Sequence, residues 1–225
     1  MELLAGESSA AKRKLLHEVL VRTGSAALPV INEYLSDDRW FVVRNAVALL
    51  GDIRSQESLA ELTLLLQHDD IRVRRETIRA LTRIGGKRAV KILLQTAASD
   101  DQELQRQAIL SLGAMRAAVA APILMKTLKQ KNWSQRGIDL KKDTIRALGE
   151  IRDPAAIPEL LKIIAKRRWL HKQLNDELRV AAAAALGDIA EESTRTALEK
   201  ATNDKATTVA RAAAQALMQL DKANT

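Results

Sequence analysis

Two tryptophans set among cations are the residues of this chain best suited to recognition chemistry. Trp133 lies in Lys129-Gln-Lys-Asn-Trp-Ser-Gln-Arg-Gly137, and Trp169 lies in Lys166-Arg-Arg-Trp-Leu-His-Lys172. An indole ring supplies a large, rigid contact area, and Arg136, Arg167, Arg168, His171 and Lys172 supply positive charge, so the two segments together suit an acidic partner. The same residues also fit a plainer role, in which each ring folds back over the end of a long turn, as Trp40 would in a turn without any insertion.

The charge of the chain is concentrated around these rings. Net charge is +8, and residues 126 to 172 hold 13 Lys and Arg against 5 Asp and Glu, which accounts for all of it. Such a zone attracts an acidic protein surface or a phosphate backbone, or serves only as a solvated face that keeps the surface soluble. Further cations recur at fixed positions along the chain: Arg75 with Arg79, Arg106, and Lys142 with Arg146. They are expected to point along one groove, with a solvated charged face as the competing reading.

Catalytic and metal chemistry finds no equivalent support. His17, His68 and His171 are far apart, and the carboxylates beside His68, Asp69 and Asp70, are already explained as helix caps. There is no cysteine, hence no disulfide, thiolate metal site or thiol nucleophile. No glycine-rich phosphate loop occurs. No catalytic residue, metal or cofactor is expected. The opening residues, Met1 to Ser9, carry no basic segment leading into a long apolar run, and no later stretch approaches the roughly 20 apolar residues that span a bilayer. A cytoplasmic protein with no membrane partner is the expectation.

The elements that must position these residues are periodic. Leu50, Leu81, Leu112, Leu148, Leu186 and Leu217 recur at steps of 31, 31, 36, 38 and 31. Apolar columns stand at fixed offsets from them: eight before (Val42, Val73, Leu104, Leu140, Leu178, Val209), three before (Val47, Ile78, Ile109, Ile145, Ala183, Ala214) and three after (Ile53, Ile84, Met115, Ile151, Ile189, Leu220). Spacings of 3, 4 and 5 place them on one helical stripe. Gly51, Gly113, Gly149 and Gly187 follow four anchors directly and are expected to end those helices with positive φ. A second apolar set beginning nine residues after each anchor marks a partner helix, with Pro29, Pro122 and Pro158 near its start. Each unit is thus a helical hairpin, and the chain reads as one continuous array.

Aspartates at Asp37-Asp38, Asp69-Asp70 and Asp100-Asp101 fall before the second helix of the hairpin. Asp38, Asp69 and Asp100 precede Arg44, Arg75 and Arg106 by six residues each, a spacing that suggests a carboxylate–arginine ladder linking neighbouring units. Lys142 has Arg136 in the acidic position, so Lys142 and Arg146 lack that ladder partner, though Asp143 and Glu150 are near enough for ion pairs within the helix. The long steps to Leu148 and Leu186 place turn insertions near residues 129–137 and 165–176, on the same turn of successive hairpins.

The stretches Asp38-Arg-Trp-Phe-Val-Val-Arg-Asn-Ala-Val-Ala-Leu-Leu-Gly and Asp69-Asp-Ile-Arg-Val-Arg-Arg-Glu-Thr-Ile-Arg-Ala-Leu resemble the second helix of HEAT repeats. The period near 31 is closest to the short HEAT-like subtype also found in phycobilisome lyases. The resemblance covers roughly residues 10 to 220. It implies an all-α fold, a right-handed α-α superhelix (solenoid) of about six HEAT-like hairpins in a single domain over residues 1–225, with the second helices lining a concave face.

Three functions are weighed. The first is a non-catalytic scaffold holding a protein or peptide in the groove and along the Trp-bearing edge. The second is nucleic-acid binding through residues 126–172, since some proteins resembling this one bind DNA, including a class of glycosylases whose motif has no match here. The third, a lyase-like or other enzyme, rests on fold analogy alone. The last helix is rich in alanine and is followed by no further hairpin in this sequence, so its end is expected to be covered by self-association or by sequence missing from this chain. Sedimentation at micromolar concentration checks the first branch through a concentration-dependent dimer; a clean monomer whose solubility is unaffected by adding Lys or Glu on the final helix would mean that this helix is an adequate cap.

Overall fold

The computed structural model describes residues 9–223. The opening Met1 to Ser8 and the final Asn224 and Thr225, on which parts of the leader and end-cap readings rest, lie outside the described residues. In chain order the α-helices are α1 (Ala10–Thr23), α2 (Leu28–Glu33), α3 (Trp40–Ile53), α4 (Leu59–Leu65), α5 (Ile71–Ile84), α6 (Gly86–Ala97) and α7 (Gln102–Ala114). They continue as α8 (Ala121–Leu128), α9 (Gln135–Ile151), α10 (Ile157–Ala165), α11 (Lys172–Ile189), α12 (Arg195–Thr202) and α13 (Thr207–Ala223). No strand occurs among the described residues. The chain divides into two compact units, Met1–Ser111 and Leu112–Thr225, with the boundary inside α7.

Each hairpin is a short helix followed by a longer one, and the longer helices pack on one another: α3 on α5 in the first unit, α9 on α11 and α11 on α13 in the second. Leu50, Leu81, Leu112, Leu148 and Leu186 are each 0% exposed, so the recurring leucine is the fully buried layer of the hairpin. Leu217 is half-buried. The columns eight and three before the anchors are buried except for Leu140 and Ala214, which are half-buried. Pro29, Pro122 and Pro158 occupy the first turn of α2, α8 and α10, where the missing N–H costs nothing. Among the aspartates, Asp70 accepts from the Arg72 amide at 2.8 Å and Asp101 from the amides of Glu103 and Leu104 at 3.0 and 3.1 Å, which caps α5 and α7.

The glycines after the anchors do not end their helices. Gly51 and Gly149 lie inside α3 and α9, and the positive φ falls three residues after each of the four glycines, at Arg54, Arg116, Arg152 and Ala190, and at the equivalent Gly85 of the hairpin that has Thr82 instead. These residues close the helices in the left-handed region, with the Arg54 amide donating to the Gly51 carbonyl at 3.1 Å and the Arg116 amide to that of Gly113 at 2.8 Å. The glycines serve close approach instead. A Cβ on Gly51 would stand 2.8 Å from the Ala80 Cα, and one on Gly149 2.9 Å from the Ala185 Cα; Gly113 meets Ala147 and Gly187 meets Ala216 in the same way. Spacing alone does not separate a helix terminator from a helix contact, which is why the sequence reading chose the wrong one.

Opposite effects follow for the two columns. Gly149→Ala is expected to lower stability by about 1–3 kcal/mol, because the backbone of α11 must retreat. Arg54→Gly is expected to raise it by up to about 1 kcal/mol by relieving a left-handed residue. Leu112→Ala should cost on the order of 2–5 kcal/mol through the cavity it leaves. Thermal or urea melts of the three variants check the signs, and a Gly149→Ala protein as stable as the parent would refute the close-approach role.

Candidate functional site

The insertions are only partly turns. Part of each extends the helix that follows: α9 has 17 residues and α11 has 18, against 14 for α3 and α5. What remains forms two loops in the second unit, residues 129–134 and 166–171. The first loop folds onto its own helix. The Asn132 side chain accepts from the amide and hydroxyl of Ser134 at 3.0 and 2.7 Å, and Ser134 caps α9 by accepting from the Gly137 amide at 3.2 Å. Gly137 presses so closely on the Asn132 side chain that no Cβ fits there. The second loop is held by Asn175, which donates to the Lys166 carbonyl at 3.0 Å, and by Arg167, which pairs with Asp204 at 2.8 Å.

These constraints bring the two insertions together at Trp133. Its half-buried ring lies parallel to His171, with centroids 6.0 Å apart. The Arg168 guanidinium stands 4.4 Å from the ring centroid and the Lys141 ammonium 5.0 Å from it. Beside the ring opens a cavity of about 360 Å³. Lys129, Lys131, Lys141, Lys162, Lys166 and Arg168 line it, with Leu128, Ile145, Ile163 and Leu178 as its apolar wall. Its one carboxylate, Glu159, is paired with Lys162 at 3.3 Å.

Lys141 is 7% exposed and has no hydrogen bond or ion pair among the described residues. Burial, and then the positive charge of Arg168, hold its pKa below the ordinary value of 10.5. Arg168 adds a buried Nε that donates to nothing among the described residues. An ammonium without an ion pair and a guanidinium with one unpaired nitrogen thus line one cavity whose carboxylate is already engaged.

Of the other predicted cations, Arg75 and Lys142 join neighbouring hairpins, and Arg44, Arg79 and Arg146 bond within their own helices. Arg75 pairs with Glu103 at 3.0 Å, not with Asp69, and Lys142 pairs with Glu177 at 2.9 Å. A ladder therefore exists, but it joins the residue six before one anchor to the residue nine before the next. Lys142, expected to lack a partner, has the same kind of partner as Arg75. Arg44 donates to Asn45 at 2.7 Å and lies against Trp40, whose ring Arg72 covers at 3.3 Å; its expected partner Asp38 is exposed. Arg79 pairs with Glu76 at 3.1 Å and Arg146 with Glu150 at 2.9 Å. Arg106, Asp100, Arg136 and Lys172 lie near the surface, with Lys172 bordering a groove of about 650 Å³ over α9, α11 and α13. Trp169 is 91% exposed beside Leu170 at 58%, so it does not cover the end of its turn.

Lys141 is not legible from the apolar columns because it stands seven before the anchor, in a column of mixed residue types. That column holds Val43, Arg74, Gln105, Lys141, Arg179 and Ala210. Its polar members reach back to carbonyls at the end of the preceding short helix: Arg74 to His68 at 2.9 Å, Gln105 to Ala97 at 3.1 Å and Arg179 to Ile164 at 2.9 Å. Lys141 alone among them makes no such bond.

Helical hairpins stacked through recurring buried columns define a helical-repeat protein, whose sites are surfaces and clefts between hairpins. Residues 61–138 match the family of HEAT repeats, and residues 141–166 match the PBS lyase HEAT-like repeat. Together the two matches support a HEAT-repeat family with phycobilisome-lyase-type repeats. An engineered protein of the Northeast Structural Genomics Consortium shares the fold at a TM-score of 0.52 and 20% identity, over 87% of this chain and 96% of that one. A second engineered protein from the same consortium gives 0.51 and 21%, over 87% and 98%. The complex of CpcE and CpcF of phycocyanin lyase from Nostoc sp. PCC7120 gives 0.46 and 19%, over 97% and 92%. No curated protein sequence matches the chain. Among the described residues no helix is long and apolar enough to cross a membrane.

Lys141→Met keeps most of the side-chain volume and removes an unpaired buried charge, so it is expected to raise the melting temperature near neutral pH. The cations Arg168, Lys129, Lys131, Lys162 and Lys166 face Lys141, His171 stands across the Trp133 ring, and Glu159 is committed to Lys162. A folded pKa below 10.5 means that the unfolded chain binds more protons between the two values. The penalty is full below the folded pKa and is relieved as pH rises to 10.5, so the advantage of Lys141→Met should shrink over that window. Melts of both proteins between pH 7 and 10.5 check this, and an advantage independent of pH would contradict it.

Proposed function

We propose that this chain is a non-catalytic scaffold that binds an acidic protein or peptide segment through the cationic edge of its second unit. The observation that carries this reading is the exposed pair Trp169 and Leu170 at the tip of a loop whose base is tied down. Arg167 and Arg179 both pair with Asp204, and Arg179 is 3% exposed, so the loop rests on a buried ionic network. Hydrogen bonds from Arg179 and Arg167 hold the Asp204 carboxyl well below its ordinary range, so the network persists at any ordinary pH. An aromatic presented on a pre-ordered loop binds with little ordering cost, and the flanking Arg168, His171 and Lys172 add charge complementarity. The groove over α9, α11 and α13, with Val180 and Ala181 between Lys142 and Lys172, offers a second apolar contact in the same unit.

The excess of cations over residues 126–172 also supports nucleic-acid binding, and salt separates the two readings. A phosphate backbone releases counterions, so its affinity falls steeply with log salt, whereas an apolar anchor is less sensitive. Capture of a host partner by the parent protein, surviving nuclease treatment and reduced at least tenfold in Trp169→Ala with Leu170→Ala, is the expected result. Capture that is abolished by nuclease and indifferent to these two substitutions would replace the scaffold reading with the nucleic-acid one.

A further inference from the structure

Comparison of equivalent positions within the repeat shows what Lys141 lacks. The two other cations in its column are each met by a carboxylate from the next hairpin: Arg74 by Asp101, 3.7 Å away, and Arg179 by Asp204. Asp101 and Asp204 stand 11 and 13 residues before their anchors, and the residues at those positions in the hairpin after Lys141 are Asn175 and Gln173, both neutral; Asn175 donates its amide to the Lys166 carbonyl. The repeat thus keeps a buried cation here and omits the acid that neutralises it elsewhere. Burying an unpaired charge is costly, so a position that retains one is a candidate for pairing with a group from outside the chain.

We propose that the cavity beside Trp133 is a binding site for a phosphate group, with Lys141 and Arg168 as its principal ligands. The inference goes beyond the protein-binding edge, because the cavity is complete within the second unit and needs neither Trp169 nor Leu170. A phosphate dianion matches a cavity with six lining cations and one engaged carboxylate better than a single carboxylate does. The fork of Arg168 donates along two directions and the Lys141 ammonium adds a point charge. Trp133 lies against both cations and His171, which fixes their directions before a ligand arrives. The apolar wall formed by Leu128, Ile163 and Leu178 is placed to receive the carbon body of a phosphate monoester.

Isothermal titration of the intact chain with inorganic phosphate, phenyl phosphate and acetate tests this at fixed ionic strength. Phosphate is expected to bind at least tenfold more tightly than acetate. Tighter binding of phenyl phosphate than of inorganic phosphate supports a monoester as the natural source, and equal binding supports the free ion. Lys141→Met and Arg168→Gln are each expected to weaken phosphate binding tenfold or more, with Lys141→Met at least as heat-stable as the parent. Arg136→Gln removes one charge from the same segment but outside the cavity, and should change affinity less than twofold. Absence of phosphate binding, equal affinity for acetate, or an equal loss in Arg136→Gln would overturn the proposal. Trp169→Ala with Leu170→Ala should bind phosphate as the parent does. A protein that fails to capture a partner yet binds phosphate would therefore refute only the scaffold reading.

Discussion

The contact of a glycine on one long helix with an alanine on the next sets the geometry on which the rest of the molecule depends. Interaxial distance between packed helices is decided by the side chains at the crossing, and a glycine against an alanine brings them as close as backbones allow. Gly51 on Ala80 does this in the first unit, and Gly149 on Ala185 and Gly187 on Ala216 do it in the second. Once the crossing is fixed, each other column is offset from the columns of its neighbour by a constant amount. That is why Arg75 finds Glu103 and Lys142 finds Glu177 at the same two positions of their hairpins. The ion pairs are half-exposed, so each contributes little on its own; they report the register more than they create it.

The same register makes departures informative. A long helix presents its column seven before the anchor to the end of the preceding short helix, where carbonyls lack partners within that helix. Arg74, Gln105 and Arg179 meet that need, so a polar residue buried at this position is an ordinary part of the hairpin. Lys141 is buried at the same position and makes no such bond. The insertion before α9 changes the end of the short helix and places Trp133 over the ammonium instead.

Much of the fold was legible in the sequence because burial follows period. The anchors, their flanking columns, the proline column and the sites of both insertions can be read from one line of residues, since each concerns a single helix and its water-excluded face. The pairings were less legible. Asp69 and Arg75 stand six apart and suggest a bond, yet Arg75 reaches the following hairpin, and spacing within one hairpin carries no information about offsets between two. The glycines were misread for a related reason: residues in and just after the last turn of a helix have either a capping role or a packing role, and only the neighbouring helix decides. Of the two tryptophans, sequence placed both on one edge; it did not show that Trp133 is held beneath cations while Trp169 projects into solvent.

The two tryptophans therefore divide the edge into parts with different physics. Trp169 and Leu170 give apolar contact on a loop anchored by Asp204, a carboxylate already neutralised within the chain. Trp133 instead belongs to a cluster whose charge is not neutralised, and whose stability is expected to improve when Lys141 is removed. A site that costs stability in the free protein gains it back on binding, because pairing an anion with a buried ammonium recovers what desolvation took. The hairpins that carry Arg74 and Arg179 in the same column show that the repeat has an internal solution to this problem, a carboxylate from the next hairpin. Its omission at one position, inside a formed cavity and under an ordered ring, is the feature that separates this hairpin from a solvated cationic face.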